Sequence, residues 1–189
     1  MRRFLLSTAA AASIALAMWG GGVLAPIAAE AIASCAISAW SNDTDVNGLN
    51  IRSAAGADAP VIGQVPMDGE VSITGSQNGW FRIDQAVLVD YDTGEAATVF
   101  TGEGWVSGRL LGLLLNDVDL RSAPSEDSEV VAHLFHEDAN GNVAGADSLM
   151  VTRLIACQGD WVQVDGTFIG APLTGWTTGT CSNQVTTCP

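Results

Sequence analysis

Leu49-Asn50-Ile51-Arg52-Ser53-Ala54 returns 69 positions later as Val118-Asp119-Leu120-Arg121-Ser122-Ala123. The apolar run Val61-Ile62-Gly63-Gln64-Val65 returns at the same spacing as Val130-Val131-Ala132-His133-Leu134. Gly79-Trp80-Phe81-Arg82-Ile83 then matches Asp160-Trp161-Val162-Gln163-Val164, now 81 positions on. Gly104-Trp105-Val106-Ser107-Gly108 matches Gly175-Trp176-Thr177-Thr178-Gly179 at 71. Four blocks in one order, with length changes only between them, describe a duplicated unit whose insertions fall in surface connections.

Each block reads as a strand. Val71-Ser72-Ile73-Thr74, Trp80 to Ile83 and Trp161 to Val164 alternate apolar and polar residues, the period of a half-buried strand. Turn residues separate the blocks: Asn47-Gly48, Asp68-Gly69, Asn78-Gly79, Asn140-Gly141 and Gly159-Asp160. No helical periodicity is sustained beyond the N-terminal segment. Short strands at this spacing predict an all-β fold of small barrels or sandwiches. The join Leu110-Leu111-Gly112-Leu113-Leu114-Leu115 is apolar, unlike a flexible linker, so the two units are expected to pack together.

The blocks resemble the bacterial SH3 domain (SH3b) family. That family opens with an apolar-Asn-apolar-Arg-Ser segment, continues with a Val-Ile-Gly strand and a Gly-Trp-x-x-Val strand, and closes with Gly-Trp-Val. Leu49 to Ala54 with Leu120 to Pro124, Gly79-Trp80 with Trp161, and Gly104-Trp105-Val106 with Gly175-Trp176 carry the likeness. The second copy departs from it at Asp160 and Thr177. The resemblance implies two tandem small SH3-like β-barrels, residues 34–112 and 113–189, after a cleaved signal peptide at 1–33. It also implies a binding module, with cell-wall peptidoglycan or an envelope protein or peptide as partner.

The N-terminal reading is independent of that likeness. Met1-Arg2-Arg3 is basic, Phe4 to Trp19 is almost wholly apolar, and Gly20-Gly21-Gly22 and Pro26 interrupt before small residues lead to Ala33. This is the pattern of a secretory signal, with a periplasmic or secreted product. Ile32-Ala33-Ser34-Cys35 also resembles a lipoprotein box, so membrane attachment is expected only if Cys35 is lipidated. Beyond Ala33 the chain holds five Arg, no Lys and 20 acidic residues, a surface that repels nucleic acid and anionic lipid. Four cysteines, Cys35, Cys157, Cys181 and Cys188, suggest two disulfides in an exported chain. The spacing around the Trp161 and Trp176 strands suggests Cys157–Cys181 within the second barrel and Cys35–Cys188 across the chain ends, while sequence leaves the connectivity open.

Trp80 and Trp161 can line a ligand groove or close a barrel core, and both readings stand. Trp105 and Trp176 are expected in the cores; Trp40 has no place in the repeat. Arg52 and Arg121, at one repeated position, are expected to make structural ion pairs or backbone hydrogen bonds. The first copy carries an extra stretch from Asp84 to Gly102, read as a long loop. With Trp80 and Tyr91 as its aromatics, this copy is expected to be the principal binder. Asp43-Thr44-Asp45-Val46-Asn47-Gly48 begins like a calcium loop but has Ala54 where the twelfth-position Glu belongs, so a polar turn is expected. His133 and His136 lack a third ligand in sequence. No nucleophile motif, metalloprotease motif or phosphate loop is found. No enzyme, cofactor or metal is therefore expected. The alternative to a binding module is a structural or regulatory subunit of an envelope complex with no small ligand.

Overall fold

A computed structural model describes residues 31–182 and residue 184. Residues 1–30, most of the segment expected to be a signal peptide, and Cys188 lie outside the described residues. Among the described residues there are sixteen strands. In the first unit they are β1 (Ala33–Ser41), β2 (Leu49–Arg52), β3 (Val61–Val65), β4 (Glu70–Gln77), β5 (Trp80–Asp90), β6 (Glu95–Ser107) and β7 (Leu111–Gly112). The second has β8 (Leu114–Leu115), β9 (Asp119–Arg121), β10 (Val130–His133), β11 (His136–Glu137), β12 (Val143–Ala144), β13 (Met150–Gln158), β14 (Trp161–Phe168), β15 (Ala171–Thr177) and β16 (Thr180–Cys181). Two single 3-10 turns, Gly108–Leu110 and Ala146–Ser148, interrupt the strands. No helix among the described residues is long and apolar enough to cross a membrane.

The fold is all-β, and its two main sheets share one strand order. The first runs β3-β2-β6-β5-β4-β1-β7, the second β10-β9-β15-β14-β13. The correspondence reaches individual residues. Arg52 sits opposite Trp105 as Arg121 sits opposite Trp176. Trp40 and Ser41 pair with Gly112 and Leu111, while Leu114 and Leu115 pair with Cys181 and Thr180. In each unit, then, the strand that leads in is paired with the strand that leads out. The arginines use the same geometry. Arg52 Nη1 donates to the Ala59 carbonyl at 2.7 Å, and Arg121 Nη1 to the Ser128 carbonyl at 2.9 Å, each seven residues ahead. Arg121 adds the Glu126 carbonyl at 2.8 Å. Each arginine thus pins the turn after its strand by charge-assisted hydrogen bonds.

Side-chain alternation explains the core. Leu49, Ile51, Val65, Val71, Ile73, Phe81, Ile83 and Val106 point inward from the first sheet, and Leu120, Leu134, Leu154, Val162 and Val164 from the second. All belong to one continuous buried cluster, joined through Leu111, Leu113 and Leu115. The apolar join is therefore buried as expected, and the two units share a core. Asn78 and Gly79 both take positive φ, 53° and 76°, the tight hairpin turn that an Asn-Gly pair favours, so Trp80 is placed at the very start of β5.

The stretch from Asp84 to Gly102 is not a loop. β5 and β6 continue as a paired ladder through Leu88–Ala97, Val89–Ala96 and Asp90–Glu95, turning only at residues 91–94. Alternation and β-branched residues (Val87, Val89, Thr98, Val99) favour a hairpin arm over an irregular loop. Phe100 folds back on the core, within 3.0 Å of where a Cβ on Gly63 would lie.

Candidate binding cleft at the join of the two units

The N-terminal strand decides how the units are joined. β1 pairs with β4 along most of its length, and its first residues also reach the second unit. Ala36 N–H donates to the Gly159 carbonyl at 2.9 Å, and Gly159 N–H to the Ser34 carbonyl at 2.8 Å. Beside them Cys35 and Cys157 form a disulfide, with Cα atoms 5.7 Å apart. This corrects both expected pairings, Cys157–Cys181 and Cys35–Cys188: β13 turns Cys157 toward the first unit, where β1 delivers Cys35. Cys181 is also disulfide-bonded.

On another side of the same join the turn at Gly108–Leu110 packs on β13. Gly108 is pressed so closely that an added Cβ would come within 2.2 Å of the Leu154 carbonyl and 2.5 Å of the Phe81 ring. Its N–H donates to the Gly79 carbonyl at 2.9 Å. Only glycine permits this approach. Around it opens a cleft of about 620 Å³, with Asn78, Gly79, Trp80, Ser107 and Arg109 on the first unit and Arg153, Leu154 and Ile155 on the second among its walls. Trp80 is half-buried, and Arg109 is exposed. Arg153 is fixed by Asp165, which sits opposite it in the β13–β14 ladder: Nε donates to Oδ2 at 2.9 Å and Nη2 makes a second, shorter bond. Thr174 Oγ1 donates to the other carboxylate oxygen at 2.5 Å. An aromatic face beside guanidinium groups can hold a flat or extended polar ligand through stacking, apolar contact and directed hydrogen bonds.

The sequence candidates separate in space. Trp80 lines the cleft. Tyr91 does not share it. β5 is 11 residues long, so its two ends lie about 35 Å apart at the usual rise of a strand, and Tyr91 follows the far one. There the Tyr91 hydroxyl donates to Glu70 Oε1 at 2.6 Å. Ser182 Oγ bonds the other oxygen of Glu70, and Gln184 Nε2 donates to the Asp68 carbonyl at 3.0 Å. Tyr91 therefore belongs to the patch that holds the C-terminal segment against the first unit. Burial, followed by the bond to Glu70 and its negative charge, pushes the Tyr91 phenol above its usual 10.0. Trp161 is half-buried at the start of β14 and is not among the residues that wall the Trp80 cleft.

Trp105 is buried, 5% exposed, while Trp176 is only half-buried. Trp40 lies on β1 with its indole across Gly112. His133 Nδ1 meets Asp119 Oδ1 at 2.7 Å, a surface pair between neighbouring strands. Asp43, Asp45 and Asn47 form a succession of side-chain-capped turns leading into β2. Asp138 does the same for residues 140 and 142, and the hydrogen bonds from Asn142 and Asn140 lower its carboxyl pKa. Arg109 and Arg153 do not recur in the repeat, so the repeat does not single them out. The available signal was scarcity: in a chain with seven cationic residues against 21 acidic ones, two arginines around one aromatic are a local exception.

No curated protein and no solved structure matches the chain. Residues 47–112, from the turn before β2 through β7, match the family model of the bacterial SH3 domain.

Proposed function

We propose that the protein is a non-catalytic binding module acting outside the cytoplasm in the cell envelope, and that it recognises cell-wall peptidoglycan or an envelope peptide at the Trp80 cleft. The observation that carries this reading is the position of Trp80: on the matched SH3 domain, half-exposed, in a cleft walled by both units. The second unit is taken as a diverged copy of the same barrel, on the strength of its strand order, its Arg121 bonds and its paired entry and exit strands. A disulfide linking two elements 122 residues apart fits an oxidising compartment.

Capture of the purified protein on isolated cell-wall sacculi tests the reading. Native protein should be retained. Trp80→Ala should lose most of that retention with its melting temperature nearly unchanged, because an aromatic anchor typically contributes about 2 kcal/mol or more to binding. Retention equal in the two proteins would remove Trp80 from the site, and no retention of either would remove the wall as the ligand.

A further inference from the structure

The Trp80 cleft has a charge character opposite to that of the rest of the molecule. Of the 21 acidic residues in the chain, none is among the residues that wall it, whereas Arg109 and Arg153 both are. The two arginines are not in the same state. Arg153 is neutralised by Asp165 and held rigid by it. Arg109 has no acidic side chain within ion-pair distance among the described residues, whose ion pairs involve Arg82, Arg121, His133 and Arg153. Among the described residues Arg109 is thus an exposed guanidinium without an acidic partner, on a wall that holds no acid. Close by, the backbone is drawn in by the Gly79–Gly108 hydrogen bond, which rigidifies the wall that carries Arg109.

Resting on the binding reading above, we infer that the cleft is a carboxylate site, taking the free C-terminal carboxylate of an extended peptide. Arg109 supplies the unpaired cation and a planar pair of donors suited to a carboxylate. Arg153, oriented by Asp165, offers its remaining N–H groups. Trp80 supplies apolar area for the residue behind the carboxylate, and the Asn78 and Ser107 side chains lie within the same walls for the peptide backbone. The long-range field works against any anion arriving, so recognition depends on short-range contacts inside the cleft, and raised salt screens both the repulsion at a distance and the exposed Arg109 pair.

The test follows the indole N–H resonance of Trp80 in the full protein, assigned through Trp80→Phe. The probes are stem peptides released from sacculi, an L-peptide of the same length with a free C-terminus, and the C-terminal amides of both. A free acid should shift the resonance saturably, and its amide should bind about tenfold more weakly or worse, the size expected for one charge-assisted contact. Arg109→Gln should reduce the acid to the level of the amide, whereas Arg82→Gln, a charge change at the Glu103 pair, should not. Equal binding of acid and amide, an effect unmoved by Arg109→Gln, or no shift by either overturns the carboxylate site. Sacculus capture that still depends on Trp80 would in that case leave the binding reading standing. Conversely, Arg109-dependent binding of the L-peptide without capture on sacculi keeps the carboxylate site and points to a protein C-terminus as its source.

Discussion

Ser76 and Cys157 hold each other across the two units by a reciprocal pair of hydrogen bonds: Cys157 N–H donates to Ser76 Oγ at 2.9 Å, and the Ser76 hydroxyl donates to the Cys157 carbonyl at 3.3 Å. Both residues are buried. The serine completes backbone bonding that β13 leaves open where it abuts β4, and it does so next to the disulfide. Ser76→Ala should therefore cost about 1–3 kcal/mol, because it strands buried polar groups rather than merely deleting a contact. Urea unfolding should show a lowered midpoint with an unchanged slope.

Cys35–Cys157 closes most of the chain into one loop. The Cys35→Ser/Cys157→Ser double variant should lose about 2–5 kcal/mol of stability. Non-reducing peptide mapping of the native protein should recover residue 35 linked to residue 157. A 157–181 link would refute the join described here.

Gly108→Ala places a methyl group against the Leu154 carbonyl and the Phe81 ring, both rigid neighbours. Overpacking of this kind typically costs about 1–3 kcal/mol. Because the clash lies between the units, the variant should also disturb the Trp80 indole resonance. Gly170→Ala, at a turn where a Cβ meets nothing within 4 Å, should leave that resonance in place while straining only its own positive φ.

Tyr91 is the single tyrosine of the chain, so tyrosinate absorbance reads it alone. Its midpoint in the folded protein should lie above 10.0, chiefly because of burial and then because of Glu70. Glu70→Gln should bring the midpoint down by removing the negative charge beside it. A raised folded pKa means that the contribution of Tyr91 to stability is present below about pH 10 and is lost as pH rises through the folded value. Tyr91→Phe should therefore be less stable at neutral pH and lose less stability as pH rises past about 10.

Trp105→Ala should destabilise the fold by about 3–5 kcal/mol, since the side chain is buried. Trp80→Ala should change thermal stability far less while reducing partner capture. Two tryptophans of the same domain would then separate into a core residue and a binding residue. Equal stability losses would place both in the core.

The repeat by itself determined the all-β class, the position of most strands and the structural work of Arg52 and Arg121. Strand alternation and Asn-Gly turns are local in sequence, so their physics can be read without knowing what packs on what; the repeated arginine pointed to a structural role, while its carbonyl partners seven residues on are seen only in the structure. The arm at Asp84 to Gly102 is a hairpin and not the expected loop; its alternating and β-branched residues carry that signal, but the repeat, which has no counterpart to it, does not. The cysteine pairing, the separation of Trp80 from Tyr91, and the meeting of Trp80 with Arg109 and Arg153 were decided only by tertiary structure. The cysteine pairing and the cleft depend on how β1 and β13 bring the two units together, and the separation of Trp80 from Tyr91 depends on the length of β5. That docking is set by the bonds of β1 to Gly159, the Cys35–Cys157 bridge and the Gly108 contact, all between residues far apart in sequence.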